Sequence, residues 1–110
     1  MLIREQLAHI VIHLGGSQET VRSRKIIMRK FINNLQRNHI FLKGTKKMTS
    51  WHIQSHVRTE LQRGVSKLTI RNEMKVICIV LRKAGKRRVL QSDLLSDEAL
   101  GIAKVKRNKN

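Results

Sequence analysis

The sequence predicts an all-α protein: a compact core of four main helices, a candidate short fifth helix and a basic C-terminal tail. Three observations carry that expectation. Proline is absent, so no residue of that type interrupts a helix. Helix-capping residues stand at Ser17, Thr49 and Ser66, and glycine stands at the expected stops, Gly15, Gly64 and Gly85. Between these marks, apolar residues recur at three- and four-residue steps, the period of one buried helical face.

The first helix spans residues 2–14, where Ile3, Leu7, Ile10, Val11 and Leu14 share a face and Gly15-Gly16 ends the run. Ser17 caps a second helix over 18–36, with Glu19 in the first turn, where negative charge meets the positive end of the helix dipole. Val21, Ile27, Met28, Phe31, Ile32 and Leu35 form its apolar side. Residues 38–48 read as a basic connection turning at Gly44. Thr49 or Ser50 caps a third helix ending near Arg63, with Ile53, Val57 and Leu61 inward. Ser66 caps a fourth helix, 67–84, whose seam of Ile70, Met74, Ile77, Leu81 and Ala84 is widened by Val76, Ile79 and Val80. It is the expected central helix. The β-branched residues between 76 and 80 would also suit a strand, but the cap and the length favour a helix. Lys86-Arg87-Arg88 reads as a basic loop, and Ser92–Leu100 as the short fifth helix, holding Asp93, Asp97 and Glu98. The expected organisation is one helical domain over 1–102 and a disordered basic tail over 103–110.

Composition points to the partner. Lys and Arg number 24 against 7 Asp and Glu, a formal charge of +17. Solubility of a small domain needs a magnitude of only about 2–8, so the excess predicts a polyanion as ligand. Aromatic residues make up 3% of the chain, which leaves an aliphatic core. Cys78 is the only cysteine; it cannot form an intrachain disulfide, and in mid-helix it reads as a small buried hydrophobe. The N-terminus, with Glu5 and short apolar runs, is unlike a signal peptide, and no run nears the roughly 18 apolar residues of a membrane span. The expected location is the cytoplasm, at the nucleoid, with no membrane partner.

Two basic stripes are the candidate site. Arg22, Lys25 and Arg29 lie at i, i+3 and i+7 on the second helix, beside Asn33. Arg71, Lys75 and Arg82 lie at i, i+4 and i+11 on the fourth, off its apolar seam. Lys86, Arg87 and Arg88 extend the second stripe. Such residues neutralise phosphates and release counterions, while Asn33, Gln36, Thr69 and Asn72 are short polar groups able to meet base edges. His9/His13, with Glu5, and His52/His56, with Glu60, have the i, i+4 spacing of metal ligands. No second cysteine supports either pair, so both read as surface rows, better suited to a DNA-binding face; no metal and no cofactor are expected. Trp51 opens the third helix away from its apolar stripe, as an edge of the core. No glycine-rich phosphate loop, HExxH pair or nucleophile elbow occurs, so an enzyme is not expected.

Three stretches resemble the N-terminal SAM-like, or core-binding, domain of tyrosine recombinases, the phage integrase family. Ser17-Gln18-Glu19-Thr20-Val21, followed by Phe31 and Leu35, looks like that family's first DNA-facing helix. Gly64 to Asn72 fits G-x-S-x-x-T-I-x-N, and Ser96 to Gly101 fits S-x-x-A-L-G. The likeness runs over about residues 15–102. It implies a domain forming half of a clamp around duplex DNA, with the second and fourth helices facing it. It also implies that terminal elements, here the first helix or residues 92–100, touch neighbouring recombinase protomers. The family's catalysis needs a tyrosine nucleophile, and this sequence has no tyrosine. The expectation is therefore non-catalytic DNA binding, by an excised domain or a stand-alone relative that serves or regulates integration and recombination. A structured-RNA or ribosome-associated binder, and a protein that docks an acidic partner, share the basic composition and are the alternatives.

Overall fold

The computed structural model describes residues 2–104, and among them it is all-helical, with no strand. Helix α1 is Ile3–Leu14, α2 Gln18–Arg37, α3 Ser50–Gln62 and α4 Lys67–Lys83. Two one-turn helices follow, α5 (Arg87–Leu90) and α6 (Asp97–Leu100), and 3-10 turns occupy Thr45–Lys47 and Asp93–Leu95.

The capping residues act locally. Ser17 Oγ accepts the Thr20 N–H at 3.1 Å, and Ser66 Oγ accepts the Thr69 N–H at 3.1 Å. Each satisfies one of the donors that every helix start leaves without an intrahelical partner. At the start of α3 the Thr49 N–H donates to His52 Nδ1 at 2.9 Å, the reciprocal arm of a capping box in which His stands where Glu or Gln is usual. Helices α3 and α4 end alike. Gly64 and Gly85 take φ of 81° and 85°, the left-handed region that costs other residues energy. The following N–H groups close back from Val65 to the Glu60 carbonyl at 3.0 Å and from Lys86 to the Leu81 carbonyl at 2.9 Å. Helix α2 makes the same closure, from Ile40 to Leu35 at 2.9 Å, with His39 in the left-handed position at φ 60°.

Helices α2 and α4 are the hub. Helix α2 packs on α1, α3 and α4, and α4 packs on α1, α2, α3 and α5. The core is aliphatic as expected: Leu7 and Val11 from α1, Phe31 and Leu35 from α2, Ile53 and Val57 from α3, and Ile70, Ile77, Val80 and Leu81 from α4 are all buried. Met48, from the connection, and Ile102, past the last helix, join it.

Four expectations are corrected. The basic stretch at 86–88 is not a plain loop, because Arg87 and Arg88 open α5. The 92–100 segment is not one helix but two single turns broken at Ser96, whose Oγ accepts the Ala99 N–H at 3.1 Å and so starts α6 afresh. Cys78 is only half-buried, and burial pushes its thiol up from its ordinary pKa. His52 and His56 are not surface histidines: both are buried, and of the two i, i+4 pairs only His9 and His13 are exposed. Trp51 lies 54% exposed, edge-on to His52. Of the expected disordered tail, residues 105–110 lie outside the described residues.

Two predictions follow from the packing. Ile77→Asp places a charge where the native side chain is fully buried, and it should abolish cooperative thermal unfolding; Ile79→Asp, at a half-buried position, should retain it. The second concerns pH. Burial lowers the His52 pKa from 6.5, and protonation also competes with the hydrogen bond that Nδ1 accepts. The depressed folded value means that His52 contributes stability above pH 6.5 that is lost as pH falls through the folded pKa. His52→Gln keeps an acceptor for the Thr49 N–H, so its denaturant midpoint should fall less than the wild type's as pH drops below about 6.5.

Candidate nucleic-acid interface

Charge on this chain is sorted by depth. Between Thr20 and Ser92 the sequence holds nineteen of the 24 Lys and Arg residues and only two acids, Glu60 and Glu73. Both acids are buried. The surface contributed by these 73 residues therefore carries cations and no exposed carboxylate. The exposed acids are Glu5 and Glu19 near the start, and Asp93, Asp97 and Glu98 together near the end.

The two carboxylates are held where α2, α3 and α4 meet. Lys30 Nζ, from α2, lies 2.9 Å from Glu73 Oε2 and 3.2 Å from Glu60 Oε1. Asn34, one turn further on, directs its amide nitrogen to Glu60 Oε1 and His56 Nδ1, both at 3.0 Å. His56 Nε2 stands 3.7 Å from Glu73 Oε1 and 3.9 Å from Glu60 Oε1, and the His56 ring meets Phe31 edge-on. Burial by itself raises the Glu73 pKa, but the neighbouring His56 ring and the Lys30 ammonium outweigh it and hold the carboxyl below its ordinary value. For Lys30 burial lowers the pKa, and the two carboxylates more than reverse it.

The α2 and α4 stripe residues line separate grooves, and Lys25 and Arg29 also line one of about 340 Å³ between α1 and α2, together with Arg4 and Glu5. Arg22, Lys25 and Arg29 line one of about 510 Å³ on α2, with Gly16, Val21 and Ile26 as its apolar part. Arg71, Asn72, Lys75 and Arg82 line another of about 650 Å³ between α4 and the 95–97 segment. Arg82 also joins Arg87 in an adjoining groove of about 370 Å³. The α2 and α4 grooves share no lining residue. Arg22, Arg29, Asn72, Lys75, Arg82, Arg87 and Arg88 are exposed, and Lys25 is half-buried.

Other stripe residues carry structural bonds. Asn33 Oδ1 accepts from the Arg4 guanidinium at 2.6 Å, and Gln36 accepts from the same group at 2.7 Å, which ties α2 to α1. Thr69 belongs to the α4 cap, its hydroxyl 2.8 Å from Ser66 Oγ. Arg71 Nη1 donates to the Ile102 carbonyl at 2.6 Å and pins the end of the helical region to α4. Lys86 Nζ donates to the Lys46 carbonyl at 3.0 Å and bridges α4's end to the 45–47 turn.

Sequence reasoning missed the buried polar cluster, though the period contained it. His56 and Glu60 fall at i+3 and i+7 from Ile53, on the same stripe as Val57 and Leu61. Glu73 falls at i+3 from Ile70, beside Met74 and Ile77. Charged residues at core positions of a helix are the signal for a buried network.

The family model described as phage integrase, N-terminal, matches residues 2–90. Neither a curated protein nor a solved structure matches the chain.

Arg71 separates a structural role from an interface role. Arg71→Met removes a charge-assisted hydrogen bond at a half-buried site, which should lower stability by about 1 kcal/mol. Arg82→Met, at an exposed position, should leave stability within about 0.5 kcal/mol of wild type. Urea denaturation of both variants checks the pair.

Proposed function

The chain belongs to the phage integrase N-terminal family, and from that premise we propose that it binds duplex DNA through the α2 and α4 grooves, without catalysing strand exchange itself. The observation that carries the proposal is the sorting of charge: nineteen cationic side chains and no exposed acid over residues 20–92. A backbone of phosphates about 1.7 Å apart along the duplex axis matches an extended cationic surface better than a single anion does.

Arg22, Lys25 and Arg29 on one side, with Lys75, Arg82, Arg87 and Arg88 on the other, are the proposed phosphate contacts, which position the protein on the duplex. Asn72 is the proposed reader of base edges, since it is exposed within the α4 groove. Asn33, Thr69, Arg71 and Lys86 contribute through the bonds they already make, by holding the grooves in shape. The proposed role is in integration or recombination, or their regulation, in a cytoplasmic, nucleoid-associated setting. No helix among the described residues is long and apolar enough to cross a membrane.

Contact with neighbouring recombinase protomers is assigned to α1 and to residues 92–100. Ile12 on α1 is 53% exposed, and Leu94 is 52% exposed amid three acids. An acidic, apolar-tipped segment on an otherwise cationic surface complements the rest of the same surface on a second copy.

The proposal is tested by duplex binding against salt. If about six phosphates are neutralised, log affinity against log salt falls with a slope near about −5. Arg29→Glu with Lys75→Glu should abolish binding and keep the helical spectrum, because both side chains are exposed. Deleting residues 103–110 should only weaken binding, and uniformly across DNA sequences. A structured RNA bound more tightly than the duplex, or a deletion that abolishes binding while the double Glu variant binds normally, overturns it.

A further inference from the structure

The buried cluster has more capacity for ligands than its hydrogen bonds use. Among the described residues, three of its side-chain atoms are buried and have no hydrogen-bond partner: His56 Nε2, Glu60 Oε2 and Glu73 Oε1. Each residue thus contributes one unsatisfied atom, and buried polar atoms left unsatisfied are uncommon and costly. The three side chains are at least nine-tenths buried. Each can offer one ligand atom such that all lie within 4.8 Å of one another.

We propose that His56, Glu60 and Glu73 form a site for a divalent transition-metal ion, with Lys30 as the resident cation that the metal displaces.

The donor set is one imidazole and two carboxylates, which suits zinc and its first-row neighbours better than the all-oxygen cages of calcium or magnesium. Bonds of about 2.0–2.2 Å in a tetrahedron put ligand atoms roughly 3.4 Å apart. His56 Nε2 is already 3.7 Å from Glu73 Oε1 and 3.9 Å from Glu60 Oε1. Closures of about 0.3 and 0.5 Å bring these two edges to that length, the two carboxylates lie within 4.8 Å of each other, and solvent supplies the fourth position where Lys30 now enters.

Charge supports the same assignment. Asn34 Nδ2 must donate to the Glu60 carboxylate, so its equally close approach to His56 Nδ1 makes that ring nitrogen an acceptor and leaves the ring proton on Nε2. A neutral His56, two carboxylates and one ammonium sum to a net charge of −1 in the interior. A divalent ion with Lys30 withdrawn brings the sum to zero. Lys30 can withdraw, because its side chain is 37% exposed on a flexible stem. When the metal takes Nε2, the ring proton moves to Nδ1 by exchange with water. The site joins α2, α3 and α4, so occupancy stabilises the packed helices.

The test is zinc titration by calorimetry on the full chain carrying His9→Gln and His13→Gln, which removes the exposed histidine pair as a competing surface site. One zinc ion per chain should bind, and the thermal midpoint should rise with it. Lys30→Met should bind zinc at least about tenfold more tightly, because the competing ammonium is gone. Glu73→Gln should lose binding while circular dichroism confirms its helices, and Glu60→Gln serves in its place if that variant does not fold. A cobalt-loaded Lys30→Met protein should show the visible ligand-field absorption of a low-coordinate site. Failure of Lys30→Met to bind zinc overturns the proposal and leaves the cluster as an ion network completed by buried water. Undiminished zinc binding by folded Glu73→Gln and Glu60→Gln also overturns it.

Discussion

Everything in this molecule depends on where two carboxylates are kept. Taking Glu60 and Glu73 out of water is expensive, and it is tolerated only because Lys30, Asn34 and His56 meet them at the junction of three helices. Hydrophobic contact alone would let α2, α3 and α4 slide past one another at small cost, since an aliphatic core accepts many packings. Directional bonds from α2 to α3 and α4 do not. The same arrangement empties the surface from Thr20 to Ser92 of negative charge. One device therefore serves both the register of the helices and the field outside them.

That field is shaped by what the exposed cations are not doing. Arg4 and Arg71 are committed to bonds that join α1 to α2 and the 97–102 end to α4. Arg22, Arg29, Lys75 and Arg82 have no such commitment among the described hydrogen bonds, and each lines a groove whose floor includes apolar side chains. A cation beside low-dielectric walls acts over a longer range than one in open water. This is why the proposed interface is drawn through the grooves rather than through the whole basic surface.

Much of the fold was legible in the sequence, because its signals are local. Ser17 and Ser66 cap, Gly64 and Gly85 stop, and the seam from Ile70 to Leu81 is buried as its period requires. The end of α2 was nearly legible, although no glycine marks it and His39 takes the left-handed position instead. The split of 92–100 was harder to see, since Ser96 reads equally well as a residue inside a helix or as a new cap. The interior of the polar cluster was out of reach for a different reason. His56 and Glu60 looked like a surface row, and their core position shows only when they are counted with Ile53 and Val57. Their partners Lys30, Asn34 and Glu73 lie 13 to 30 residues away, and only the packing of α2 and α4 brings them together. Pairwise bonds such as Arg71 to Ile102 are tertiary in the same sense. The basic stripes were visible as spacing, but spacing does not say which members are free to bind.

The central claim is that the cationic grooves of α2 and α4, and not the basic charge at large, meet the duplex. Mapping backbone amide chemical shifts by NMR during addition of a duplex tests it residue by residue. The account predicts that perturbations cluster at 18–29 on α2 and 68–82 on α4, with Asn72 and Lys75 among the largest, while α3, with His56 and Glu60, stays unchanged. Perturbations confined to the Lys43–Lys47 connection and the residues beyond 102, with α2 and α4 silent, would contradict it.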